Sequence, residues 1–259
     1  MAKRTVLILV EGPSDADVLV PPIRQRYEKT RIVDGAEFHF DVTTIRLFPG
    51  DAKAAGLTAC RDPRDAIRDK IRQYTESGGG CPWTRISHIA HVADLDGAFV
   101  DPSHVAYSPA NHRAIYTDDQ ILTANVPFIL KRNAEKSTQL DRLCSLSYIT
   151  MDGRKVPYRI FYMSRNLEHA FLGRAQNLSD AQKERYAALL NAKFENDDKL
   201  FARVIEKLWN MHGSLDWSDS WQYVREGCHS LERGSNFHLL DEFLTSTEPV
   251  QLPKRPKSN

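Results

Sequence analysis

The sequence predicts an α/β fold, with a mostly parallel sheet flanked by helices over residues 1–166 and a helix-rich region after it. Three observations predict this. Residues 5–10 (TVLILV) are continuously apolar and rich in β-branched side chains, the pattern of a parallel strand covered on both faces. A strand-helix-strand-helix-strand order then runs to residue 96, which suits a parallel sheet with helical crossovers. From residue 167 onward, segments of helical period dominate.

The first strand gives way to Glu11-Gly12-Pro13-Ser14-Asp15, turn residues with a Ser or Asp N-cap, and helical spacing resumes over 16–27. Pro21 and Pro22 fall inside that helix, which is expected to kink or restart there. Residues 38–48 (FHFDVTTIRLF) form the second expected strand. Residues 62–75 (DPRDAIRDKIRQYT) carry Pro at an early helical position and Ala66, Ile67 and Ile71 on one face, and Gly78-Gly79-Gly80 ends that helix. The third strand, 86–93 (ISHIAHVA), runs straight into Asp94-Leu95-Asp96-Gly97. Beyond it, 114–116 opens a short strand, 121–145 reads as mostly helical around Pro127, and 158–163 (YRIFYM) is a strand. Helices follow at 179–194, 199–209, 218–226 and 236–245. The expected organisation is an α/β domain over 1–166, a helical region over 167–248 and a disordered, Pro-rich polar tail over 249–259.

The 35 Lys and Arg nearly cancel the 34 Asp and Glu, for a net charge of +1, so no global field draws in a polyanion and any basic face must be local. Cys60, Cys81, Cys144 and Cys228 form no C-x-x-C pair, against zinc ribbons and disulfide frameworks. The apolar run near the start is too short for a secretion signal or a membrane span, and a cytoplasmic protein is expected. Trp83, Trp209, Trp217 and Trp221 are expected in the core. His88 and His91, three apart on a strand, fall on opposite faces and make poor partners for one metal.

In a parallel sheet, functional groups gather beyond the carboxyl ends of the strands. Glu11 follows the first strand, and Asp94 and Asp96 follow the third, with Asp15 a short turn away. Like charges this close repel unless a cation neutralises them. Oxygen-only ligands favour Mg²⁺ or Mn²⁺, and the natural substrate of such a site is a phosphate ester.

At these residues the chain resembles a known family. Leu9-Val10-Glu11-Gly12-Pro13-Ser14-Asp15 before a helix is similar to the glutamate motif of TOPRIM domains, in the E-G-x-S-D form of the OLD-family nucleases, and Asp94-Leu95-Asp96 is similar to the TOPRIM D-x-D motif. The resemblance implies a Rossmann-like sheet and Mg²⁺-dependent cleavage of nucleic acid, DNA or RNA, with Glu11, Asp94 and Asp96 as the catalytic residues: Glu11 as a metal ligand or general acid/base, Asp94 and Asp96 as metal ligands, and Asp15 as an additional ligand. Arg165-Asn166-Leu167-Glu168 resembles the glutamate-bearing helix start of small OLD-like proteins, which implies Glu168 as a further ligand. Lys131, Lys136 and Arg165, with Arg132, are the basic residues expected to meet substrate. No G-x-x-x-x-G-K-[ST] phosphate loop is present, so the resemblance implies a stand-alone nuclease, with a role in phage defence or RNA processing by analogy. Regulation is then left to a separate regulatory or ATPase protein, for which the helical region offers a surface.

Two rival expectations remain. Asp94-Leu95-Asp96-Gly97 also resembles the D-x-D-G motif of haloacid dehalogenase-type phosphatases, with Asp94 as nucleophile, Asp96 as acid/base and Asp118-Asp119 as the later acidic pair. A Rossmann-like module that binds a cation or a partner without turnover is the other.

Overall fold

The computed structural model describes residues 4–30, 38–45, 62–78, 80–173, 178–197, 199–210 and 215–245. Residues 46–48 of the expected second strand, Gly79, Cys60, the tail and the side chain of Trp209 lie outside the described residues.

The apolar run near the start forms β1 (Arg4–Val10), in which Val6 through Val10 are fully buried. Such burial requires neighbours on both edges. β2 (Phe38–Thr44) pairs with one edge and β3 (Ile86–Asp94) with the other, both in parallel. β8 (Arg154–Met163) continues the sheet in parallel beyond β3, and β7 (Tyr148–Met151) closes the far edge as an antiparallel hairpin with β8. The order is therefore β2-β1-β3-β8-β7, an α/β architecture with one antiparallel edge strand.

Helices link the strands. α1 (Pro13–Thr30) leads from β1 to β2, and α2 (Pro63–Glu76) precedes β3. Asp62 caps α2 by accepting from the Arg64 N–H at 2.9 Å, and Pro63 opens the helix where a missing N–H costs nothing. Contrary to expectation, α1 does not restart at Pro21 and Pro22 but runs through both. Pro21 has no N–H to offer the Asp17 carbonyl one turn back, and Asn191 Nδ2 donates to that oxygen instead, at 2.7 Å.

Between β3 and β8 the chain departs from the sequence expectation. Residues 121–125 are not helical. β6 (Ile121–Thr123) pairs with β4 (Val105–Tyr107) and with β5 (Ile115–Tyr116) in a second, three-stranded sheet. The helix α3 (Val126–Cys144) begins only after Asn125, whose side chain accepts from the Phe128 N–H at 3.1 Å, with Pro127 in the first turn. Val105, Tyr116, Ile121, Ile129 and Leu231 form a small core beneath this sheet.

After β8 come α4 (Leu167–Leu172), α5 (Asp180–Asn196), α6 (Leu200–Asn210) and α7 (Trp217–Tyr223). The last expected helix is two pieces, a 3-10 turn over Phe237–Leu239 and then α8 (Leu240–Thr245). One hydrophobic cluster joins Val6 and Ile89 to Phe194, Phe201, Trp217 and Phe243, so the helices beyond residue 166 share the core of the sheet. Trp83, Trp217 and Trp221 are buried in it. As the alternation of a strand requires, His88 and His91 part company. His88 meets the Phe243 ring of α8, while His91 bonds the Tyr158 hydroxyl at 2.7 Å.

Candidate active site

Three neighbouring parallel strands, β1, β3 and β8, end at one edge of the sheet, and each delivers carboxylates there. Glu11 is the first residue after β1. Asp94 closes β3, and its N–H donates to Glu11 Oε1 at 3.1 Å, which locks the two strand ends together. Asp96 lies two residues on, in a left-handed backbone conformation (φ 48°). Its N–H bonds the Arg165 carbonyl at 2.7 Å, and Arg165, at the exit of β8, is left-handed too (φ 59°). Gly97 follows (φ 73°), where a Cβ would stand 2.7 Å from Ile121, so only glycine lets the small sheet close over this turn.

Glu168 comes from the first turn of α4, fixed by Asn166, whose side chain accepts from the His169 N–H at 2.9 Å. Asp15, in the first turn of α1, accepts from the Gly12 N–H at 2.8 Å. It therefore caps the turn as well as facing the other carboxylates.

Two lysines meet this edge. Lys136 of α3 is 5% exposed, and its Nζ lies 2.6 Å from Asp96 Oδ2 and 3.5 Å from Glu11 Oε1. Lys183 of α5 lies 3.1 Å from Glu168 Oε1. Arg132 donates to the Asp96 carbonyl at 2.8 Å and stands over the Tyr116 ring.

Of the expected substrate-binding residues, Lys136 meets two of the carboxylates. Lys131 points away, 78% exposed and 3.9 Å from Glu135 on its own helix. Arg165 is buried, 4.7 Å over the Tyr116 ring, and its guanidinium donates to the Tyr116 carbonyl at 3.3 Å. Asp118 and Asp119 sit in the turn between β5 and β6, with Asp119 accepting from the Thr117 hydroxyl at 2.7 Å. A cleft of about 450 Å³ between α1, β2 and α5 is lined by Asp17, Arg24, Glu184 and Asn191 among others, and by none of the five carboxylates.

Electrostatics follow from this packing. Burial, with Asp96 and Asp15 close by, pushes the Glu11 carboxyl up to about 7 against the pull of Lys136. Burial and Glu168 raise Asp15 to about 6. Asp94 is pushed well above the usual carboxylate range by burial and then by Asp15, Glu11 and Asp96. Asp96 goes the other way: burial would raise it, but the Lys136 ammonium outweighs burial and lowers it. Lys136, which burial alone would lower, is raised by Asp96, Glu11 and Asp94. The Lys183 charge is likewise felt by Glu168, Asp94 and Asp15.

The donor set suits a hard divalent cation: five carboxylates, oxygen only, with two ammoniums leaving a surplus of negative charge. In arrangement the edge is closed around its lysines. Among the described residues, no three acidic, histidine or cysteine side chains stand as a ready metal shell.

No family model, no curated protein and no solved structure matches the chain. Function is therefore argued from this edge alone. Lys183 is the participant that sequence reasoning missed; it carries no motif and lies on a helix remote in sequence from Glu11 and Asp94.

Proposed function

We propose that the chain is a Mg²⁺- or Mn²⁺-dependent nuclease of TOPRIM type that hydrolyses phosphodiester bonds in nucleic acid. The observation that carries this reading is the convergence of Glu11, Asp94, Asp96 and Glu168 at the ends of three adjacent parallel strands, with a buried lysine among them. Phosphodiesters are anionic, and their hydrolysis builds further charge on oxygen, so a site must offer both positive charge and a proton carrier. A divalent cation held by Asp94, Asp96 and Glu168, with Asp15 behind, would supply Lewis acidity towards the phosphoryl oxygens. Lys136 holds Asp96 in place and keeps it ionised. Glu11, at about 7, exchanges its proton near neutral pH, which suits a group that takes a proton from water or returns one to the leaving oxygen. The Arg132 guanidinium fixes the Asp96 turn by donating to the Asp96 carbonyl.

The test is incubation of the protein with labelled single-stranded DNA, double-stranded DNA and tRNA in Mg²⁺ or Mn²⁺, and then in EDTA. Cleavage that needs the metal is expected, falling about a hundredfold or more in Glu11→Ala and Asp94→Ala variants that still unfold cooperatively. Intact polymers beside rapid hydrolysis of a small phosphate monoester would overturn the reading in favour of a phosphatase.

A further inference from the structure

The two lysines at the carboxylate edge are not equivalent. Lys136 is sunk among its partners, 5% exposed, and two carboxylates hold its ammonium from different strands. Lys183 approaches from outside. Its side chain is 34% exposed while the Glu168 side chain it meets is 7% exposed, so water reaches the lysine far more than the glutamate. Glu168 is also the anchored member, on a helix turn held by the Asn166 cap. Lys183 stands on a flexible four-carbon stem, in the first turns of a helix fixed by the Ser179–Gln182 capping box. When the pair opens, the lysine is the member that moves.

We propose that Lys183 is a built-in competitor for the divalent cation: its ammonium occupies Glu168 in the cation-free protein and must leave before Glu168 can become a metal ligand. The proposal rests on the reading of this edge as a cation site. An ammonium is a compact, strongly hydrated positive charge, so it satisfies Glu168 in the way a cation does and repels a cation that approaches the same oxygen. The same displacement does not extend to Lys136, whose burial and double contact keep it bound to Asp96 and Glu11. The ion would thus enter from the side of the edge that α5 guards, and the hold of Lys183 on Glu168 sets how tightly it binds.

The experiment is a calorimetric titration with MnCl₂ of the wild type, Lys183→Met, Glu168→Gln and the double variant, with the Mn²⁺-induced rise in Tm as a second readout. Lys183→Met is expected to bind Mn²⁺ about threefold to tenfold more tightly and to show the larger rise in Tm. Glu168→Gln is expected to bind more weakly, and Lys183→Met added to it to bring a smaller gain than in the wild type; an equal gain in both backgrounds would overturn the competition for Glu168. Equal or weaker binding by Lys183→Met, beside a wild type that does bind, overturns the competitor role alone. Absence of Mn²⁺ binding in both overturns the cation site and the competitor together. Should Lys183→Met fail to fold, Lys183→Gln keeps the polar stem and gives the same reading.

Discussion

Glu11 and Asp15 hold their protons more tightly in the folded chain than in the unfolded one, and that has a measurable sign. Glu11 rises from 4.5 to about 7, and Asp15 from 3.8 to about 6. Between those limits these two groups take up protons on folding, so without a divalent cation their own contribution to stability is lost as pH rises through this window. Asp96 acts in the opposite sense, because its lowered pKa contributes stability that is lost as pH falls through it. Asp94 adds to the first group, whereas His88, His91, His169 and His238, whose imidazoles burial holds well below 6.5, add stability as pH rises towards that value. Urea midpoints measured in EDTA are therefore expected to fall only above about pH 6.5, and that fall should flatten in Glu11→Gln and on adding Mg²⁺; a midpoint that climbs between about pH 7 and about pH 8 would contradict the raised carboxylates. The same scale explains what the sequence revealed of the site. Glu11, Asp94 and Asp96 were visible because each abuts an apolar strand, and a strand end is a local pattern. Lys131 stands five residues from Lys136, about 140° around the helix, and so faces solvent where Lys136 faces the sheet. Lys183 left no trace because its contact depends on how α5 packs, which no short pattern encodes.

Among the elements, α1 is the most instructive. Two consecutive prolines predict a kink or a restart; the helix does not restart, and Asn191 of α5 supplies a donor that Pro21 lacks. Asn191→Ala should therefore cost about 1 kcal/mol of stability in the wild type. It should cost less in a Pro21→Ala background, where the helix can bond its own carbonyl; equal losses in a double-mutant cycle would separate the two features. The strands of the main sheet were legible wherever they were long and apolar, as in β1, β3 and β8. β5 falls within the short strand expected at 114–116, but β4 and β6 have three residues each, too few for a period of two to register, so 121–123 was absorbed into the helix that follows. β7 alternates exposed and buried residues over only four positions and was missed for the same reason.

For the whole molecule, the decisive fact is the shared core. Phe161 of β8 packs edge-on against Phe237 and Phe243, and the Trp217 indole donates to the Ile160 carbonyl at 2.7 Å. Ending the chain at residue 166 would expose these groups, so a 1–166 fragment is expected to lack a cooperative urea transition, while the full chain unfolds in one. A fragment that unfolds cooperatively would show that the helical region is an appendage and not a wall of the core. None of the described helices is long and apolar enough to cross a membrane. The antiparallel edge of the main sheet bears on the order of assembly. β1 meets β3, and β3 meets β8, across about 80 and about 70 intervening residues, each an entropic toll on the search for the native state. The β7–β8 hairpin closes over Asp152-Gly153, both left-handed, the conformation that a tight two-residue turn demands. That hairpin can form before any distant partner arrives, so β8 is the strand that can be ready first as a template for β3 and, through it, β1.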